Sequence, residues 1–200
     1  MGPTEVFVSR YARVLTGATW AVALIVVGGF STAADRHQLA LAASASALAA
    51  LAAWALFWRP RVEVSDGGVL LVNVLRTVEV PWPLFDEARA AWSLEVHTST
   101  GRWTAWAAPR SSGTTRAIRR APRGGSEAAD FAAGPGAEAS AEAVAAAIGR
   151  RHSALLAAGH LDGARRTAEL AGLRETVTWH RGTIAAALAL AALTAVLATG

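Results

Sequence analysis

Two long uncharged segments near the start of the chain constrain its fold more than any other feature. Val14–Ala34 and Leu39–Trp58 contain no acidic residue, lysine or arginine, and only the short loop Asp35-Arg36-His37-Gln38 separates them. A bilayer core about 30 Å thick needs roughly 20 apolar residues in helical conformation. The two segments therefore predict a transmembrane helical hairpin.

Two other interpretations compete with this hairpin. Thr32-Ala33-Ala34 resembles a signal-peptide cleavage site, but the first segment is longer than a signal core and a second apolar segment follows at once. A buried helix of a soluble protein would also be apolar, yet two such uncharged segments in succession favour insertion. Gly182–Gly200 is a third uncharged segment, shorter and rich in alanine, and it predicts a third transmembrane helix.

Composition excludes several classes of site. All 19 basic residues apart from the histidines are arginines, and the formal net charge is only +4, so the high isoelectric point does not imply nucleic-acid binding. The absence of cysteine excludes disulfides, thiolate nucleophiles and cysteine-ligated metals. The histidines are scattered without metal-binding spacing, and no catalytic constellation is visible. We therefore expect no enzyme activity, no cofactor and no metal.

Between the second and third apolar segments, residues 59–110 are dense in valine and aromatic residues at alternating positions. This pattern and its turn residues predict a meander of antiparallel strands. The expected strands are Arg61–Val64, Val69–Leu75, Arg76–Val80, Ser93–Thr98 and Arg102–Ala107, with Leu84–Trp92 either a short helix or a strand.

A single amphipathic helix is predicted after this meander. Ala137–Ala158 has a possible N-cap at Ser140 and a terminating residue at Gly159. Its apolar stripe consists of Ala141, Val144, Ile148 and Leu155, and such a helix should pack on the sheet. Residues 111–136, between meander and helix, form an arginine-rich segment of low complexity.

The motifs of the meander resemble those of a known family. The order R-P-R-V-E-V, D-G, N-V-L-R-T-V-E-V-P-W and G-R-W after two apolar segments is similar to the bacterial PH-domain family of small actinobacterial membrane proteins, which includes a mycobacterial low-molecular-weight protein antigen. The match covers about Arg59–Ala108. Its most specific residues are Arg61, Gly67, Asn73, Arg76, Pro81, Trp82 and Gly101.

The resemblance implies a PH-like fold, in which a bent antiparallel sheet is closed by one C-terminal helix, and it carries no catalytic activity. The chain departs from the family in its low-complexity insertion and its third apolar segment. The predicted class is thus an α+β membrane protein. Its expected parts are residues 1–58 (a tail with helices 14–34 and 39–58), the PH-like domain 59–159 with insertion 111–136, the linker 160–181 and the third transmembrane helix 182–200.

Tryptophans are the first candidate site residues. Trp82, Trp92, Trp103 and Trp106 could form a ligand cage, but their alternation in strands favours core packing, and we expect Trp82, Trp92 and Trp103 in the core. The segment Asn73–Arg76 could bind a phosphate, although a turn or a strand edge is favoured, with Asn73 supplying a left-handed conformation. The interfacial anchors expected at the membrane surface are Tyr11, Trp58, Arg59, Arg61 and Trp179.

Arginine distribution predicts the orientation. Arg10, Arg13, Arg59 and Arg61 flank the hairpin on the side of the PH-like domain, whereas its loop carries only Arg36. By the positive-inside rule the domain is cytoplasmic, and the protein is a multi-pass protein of the plasma membrane.

These features predict a non-catalytic membrane protein. It would bind a membrane partner protein, associate with itself, or hold an assembly at the inner leaflet of the bilayer. The alternative is recognition of anionic lipid through Arg116, Arg119, Arg120 and Arg123 in the insertion. That cluster could equally be a solvated linker.

Overall fold

The structure, a computed structural model, describes residues 2–33, 35–109, 137–138 and 140–200. By internal contacts the chain divides into two compact units. We call Met1–Ser9 with Pro60–Thr178 the sheet unit, and Arg10–Arg59 with Trp179–Gly200 the helical unit. Each unit is thus assembled from segments that are distant in the sequence.

The helical unit contains the three apolar segments as helices. They are α1 (Arg10–Ala33), α2 (Arg36–Ala53) and α5 (Arg181–Thr199), and a π-helical turn, Trp54–Trp58, extends α2. Asp35 caps α2, because its carboxylate accepts a hydrogen bond of 2.8 Å from the Gln38 backbone N–H. Within the described residues these three helices are long and apolar enough to cross a membrane.

Helix α1 and helix α2 pack along one another through small residues and hydroxyls. Thr16 is fully buried, and its hydroxyl lies 3.0 Å from the Ala12 carbonyl oxygen in its own helix and 3.3 Å from the Ala53 carbonyl oxygen in α2. The Trp20 indole N–H donates to the Ala50 carbonyl oxygen at 3.1 Å. Ala42 and Ser44 of α2 are also buried, and side chains this small allow helices to approach closely.

The sheet unit contains two mainly antiparallel sheets. The strands are β1 (Glu5–Val8), β2 (Arg61–Val64), β3 (Gly68–Val72), β4 (Arg76–Pro81), β5 (Phe85–Ala90), β6 (Ser93–Thr98), β7 (Gly101–Pro109), β8 (Ala137–Glu138) and β9 (Thr176–Trp179). In the first sheet they lie in the order β8-β1-β2-β3-β4-β9, and in the second in the order β5-β6-β7. The short pair β1–β8 is parallel.

Helix α3 (Ala141–Ala157) covers the sheets. Ser140 is its N-cap, accepting a hydrogen bond from the Ala143 backbone N–H at 3.2 Å, and Gly159 follows it in a left-handed conformation. Ala141, Val144, Ile148 and Leu155 are buried on one face, as the apolar stripe predicts. A second helix, α4 (Ala164–Leu170), follows α3.

Several sequence-based expectations need correction. The first residues are not a polar tail, because Glu5–Val8 pairs with β2 and completes the first sheet. The expected linker 160–181 contains α4 and strand β9, which lies beside β4. Helix α3 begins at Ala141 rather than at Ala137, where the chain instead pairs with β1. The ambiguous segment Leu84–Trp92 contains strand β5, preceded by a 3-10 turn at Trp82–Leu84.

Trp82 lies at the centre of the sheet unit and is 2% exposed. Its indole N–H donates to the Ser65 carbonyl oxygen at 2.9 Å, and its ring lies edge-on to Phe85 and stacks on His152 of α3. Trp103 is partly buried against the same core. Trp92, by contrast, was expected in the core but is 89% exposed, because it occupies the turn between β5 and β6 rather than a strand.

Replacing these two tryptophans should change the stability of the sheet unit by very different amounts. Trp82→Ala leaves a cavity and an unsatisfied Ser65 carbonyl, so it should lower the free energy of unfolding of the sheet unit by about 3–5 kcal/mol. Trp92→Ala, the matched control, should change it by less than about 0.5 kcal/mol. Urea denaturation of the full chain in mild detergent, followed by limited proteolysis, measures both. Equal midpoints for the two variants would contradict the assignment of Trp82 to the core.

Candidate functional site

The described residues of the helical unit bring aromatic and arginine side chains together at one end. The Arg13 guanidinium lies 5.2 Å from the centre of the Trp58 ring, and the Arg59 guanidinium lies 5.2 Å from that of Trp54. Trp20 and Trp58 are stacked, with ring centres 6.1 Å apart. Arg59 also donates to the Thr183 hydroxyl of α5 at 2.9 Å. We call this group the arginine–tryptophan layer.

This layer has the composition of a membrane interface. Tryptophan is enriched where apolar helices meet lipid head groups, and arginine beside it can reach both water and phosphate. Of the expected interfacial anchors, Tyr11 is largely exposed in the first turn of α1, and Trp179 is half-exposed at the end of β9, two residues before α5. Arg61 differs from the other expected anchors, because it lies in strand β2 of the sheet unit and pairs with Glu63 at 2.6 Å.

In the sheet unit an arginine of α3 holds three segments together. The side chain of Arg151 is only 11% exposed, and it donates to the Asp66 carboxylate at 2.6 Å and to the Pro3 carbonyl oxygen at 2.5 Å. Glu5 lies 3.6 Å away on β1. Because Asp66 lies in the β2–β3 turn, this cluster links helix, turn and N-terminal strand. It is a structural anchor rather than an open anion site.

The anchor gives a prediction with a neighbouring control. Arg151→Ala leaves the partly buried Asp66 carboxylate without its guanidinium partner, so we expect a loss of about 1.5–3 kcal/mol in the free energy of unfolding. Arg150 is 66% exposed and 3.8 Å from Glu5. Arg150→Ala should therefore cost no more than about 0.5 kcal/mol. Chemical denaturation of both variants measures the difference, and similar losses would show that Arg151 is no anchor.

Two acid–base groups of the sheet unit have altered pKa values. Burial, and secondarily the nearby Arg165, lowers the pKa of His152, which packs against Trp82 and Phe85. Partial burial raises the pKa of Glu175, but hydrogen bonds from the hydroxyls of Thr100 and Thr98 outweigh it and lower the pKa overall. Both groups stabilise packing: His152 joins α3 to the core, and Glu175 ties the chain before β9 to the β6–β7 turn.

The lowered pKa of His152 determines how the stability of the sheet unit depends on pH. Because its pKa is lower in the folded state, the unfolded chain binds the proton more readily, and stability should fall as the pH drops below 6.5, the ordinary value. The Glu175 contribution is lost only at lower pH, below its ordinary value of 4.5. Denaturation midpoints measured at a series of pH values should fall below pH 6.5 in the native chain but not in His152→Gln. An equal fall in both chains would contradict the assignment of this pH effect to His152.

The family-specific residues have structural roles. Asn73 closes the β3–β4 turn and uses both ends of its amide: Nδ2 donates to the Thr104 carbonyl oxygen at 2.9 Å, and Oδ1 accepts from the Trp106 backbone N–H at 2.7 Å. The expected left-handed conformation at Asn73 is wrong, since among the described residues only glycines have positive φ. Arg76 lies over the Trp103 ring, 5.2 Å from its centre.

No site for chemistry emerges from the part of the chain that the structure covers. Among those residues no three histidine or carboxylate side chains come together as metal ligands. A shallow apolar groove lies between Pro83 and helix α4, lined also by Ala168 and Leu173. The expected lipid-binding residues Arg116, Arg119, Arg120 and Arg123 lie outside the described residues.

Comparison with known proteins bears on the sheet unit alone. Residues 59–123 match a family model described as Bacterial PH domain. No curated protein and no solved structure matches the chain. The matched segment covers strands β2 to β7, so this part of the chain is PH-like, in agreement with the resemblance read from its motifs. The closer similarity to small actinobacterial membrane proteins stays a prediction.

Proposed function

We propose that this protein is a non-catalytic adaptor of the plasma membrane, which presents a PH-like domain to a membrane partner protein or to a second copy of itself. The observation that carries the proposal is the joining of a PH-like sheet to three helices able to span a bilayer. PH-like domains of bacteria are typically interaction modules rather than enzymes. A bilayer is the partner that the length and composition of the three apolar helices suit.

The partner interaction can be tested through the folding of the sheet unit. Cross-linking in membranes and extraction in mild detergent should recover a stoichiometric protein partner, or a homo-oligomer, with the native chain. The same complex should be recovered with Trp92→Ala and lost with Trp82→Ala, because only the second change disrupts the core that supports the PH-like surface. A complex retained by Trp82→Ala would place the contact in the helices, and a strictly monomeric native chain would contradict the proposal.

The second candidate function is recognition of anionic lipid. It is favoured by the sequence of the insertion, where Arg116, Arg119, Arg120 and Arg123 follow one another without an intervening acid. Each arginine close to an anionic surface contributes about 1 kcal/mol, which salt screens. Enrichment of anionic over neutral lipid around the native chain, absent when the four arginines are replaced by glutamine, would support this function instead.

We further propose that the sheet unit faces the cytoplasm. At the helix ends that connect directly to the sheet unit lie Arg10, Arg13, Arg59 and Arg181, whereas the α1–α2 loop carries Arg36 beside Asp35. This asymmetry follows the positive-inside rule.

Thiol labelling tests this orientation cleanly, because the native chain lacks cysteine. His37→Cys, in the α1–α2 loop, should react with a membrane-impermeant thiol reagent in intact cells. Ser99→Cys, exposed in the β6–β7 turn, should react only after the membrane is opened. Labelling of Ser99→Cys in intact cells would reverse the orientation.

A further inference from the structure

One edge of the sheet unit carries two exposed apolar side chains that neither the core nor the proposed function uses. Leu75 is 51% exposed in the β3–β4 turn, and Trp106 is 58% exposed on β7. Single exposed apolar residues are common and need no explanation. These two are held together, because the Asn73 amide oxygen accepts from the backbone N–H of Trp106 while Asn73 itself belongs to the turn that contains Leu75.

The strand register shows at which end of the first sheet the β3–β4 turn lies. Arg61, the first residue of β2, pairs with Val72, the residue before the β3–β4 turn. Phe7, near the end of β1, pairs with Val62. The β3–β4 turn therefore lies at the same end of the first sheet as Ser9 and Pro60, the points where the chain leaves for α1 and arrives from α2.

This placement specifies the occupant of the exposed edge. Because Ser9 and Pro60 adjoin helices able to span a bilayer, the surface of a bilayer spanned by these helices would lie within a few residues of both. Indole rings favour the head-group layer, where the ring meets hydrocarbon and the N–H meets water, and leucine gains free energy there by burial. The opposite end of β3 carries the polar turn Ser65-Asp66-Gly67-Gly68.

We propose that Leu75 and Trp106 insert into the head-group layer of the bilayer and hold this edge of the sheet unit against it. The interaction is with the lipid interface itself and requires no anionic lipid, which separates it from recognition by the arginine-rich insertion. It fixes the orientation of the PH-like surface relative to the membrane and leaves the β2–β3 turn in water.

Depth measurements on the full chain test this proposal. Leu75→Cys and the control Gly67→Cys carry the same environment-sensitive fluorophore, and each chain is reconstituted into phosphatidylcholine vesicles. Gly67 suits the control because it is exposed and an added Cβ would meet only the Ser65 hydroxyl, at 3.8 Å. Quenching is measured with a lipid labelled just below its head group and with iodide on both sides of the bilayer.

We expect the Leu75→Cys label to be quenched several-fold more by the lipid quencher than the Gly67→Cys label, and several-fold less by iodide. Adding Trp106→Ser should reduce the lipid quenching at position 75. If Leu75→Cys perturbs the turn, Thr104→Cys, exposed on β7 beside Trp106, replaces it with the same expectation. Equal iodide quenching at both positions would overturn the proposal, as would protection from both quenchers, since a protein surface would then cover the edge.

Discussion

Pairing between β1 and β2 is the constraint on which the rest of the structure depends. Strand β1 ends at Val8 and strand β2 begins at Arg61, and the chain between them forms the two apolar helices α1 and α2. The strands pair with Phe7 opposite Val62, so any bilayer that α1 and α2 span must have both strands on the same side. A membrane crossed by α1 must therefore be crossed back by α2, so pairing between β1 and β2 excludes a topology in which only one of the two helices spans.

The same pairing explains why Arg151 occupies a central position. The backbone hydrogen bonds of a four-residue strand contribute little stability by themselves. Strand β1 lies between β2 and β8, and β8 has only two residues. Glu5 near the start of β1 and the Pro3 carbonyl oxygen both lie within reach of the Arg151 guanidinium. Helix α3 thereby holds β1 through charge at one end, while Phe7 contributes apolar packing to the core at the other.

Much of this architecture could be predicted from the sequence, and the errors have specific physical causes. The apolar segments and the alternation of β2, β4, β6 and β7 are strong periodic signals. Strand β1 was missed because Glu5-Val6-Phe7-Val8 is too short to show a period, and its partner lies more than fifty residues away. Strand β9 was missed because its residues, Thr176–Trp179, are mostly exposed and resemble a linker.

The candidate sites were harder to predict than the fold. Strand alternation places Trp103 and Ala105 on one face of β7 and Thr104 and Trp106 on the other, and the structure shows that the first face is the less exposed one. It could not place Trp92, since an uncertainty of two residues in the end of β5 moves this side chain from a strand into a turn. Nor could it show that Asn73 joins the β3–β4 turn to β7, because that contact spans about thirty residues.

The sheet unit is built from two segments that are distant in the sequence, so a continuous fragment of the chain cannot contain all of its strands without the helices α1 and α2. A fragment from Arg59 to Gly159, the boundaries suggested by the sequence, would omit β1 and β9 and expose both outer edges of the first sheet. Unpaired edges of this kind favour aggregation. If α1 and α2 span a membrane, β1 is available for pairing only when α1 leaves it on the side where β2 emerges. In such a topology the orientation of α1 and the pairing of β1 are coupled, and an inverted α1 would leave β2 without β1 beside it.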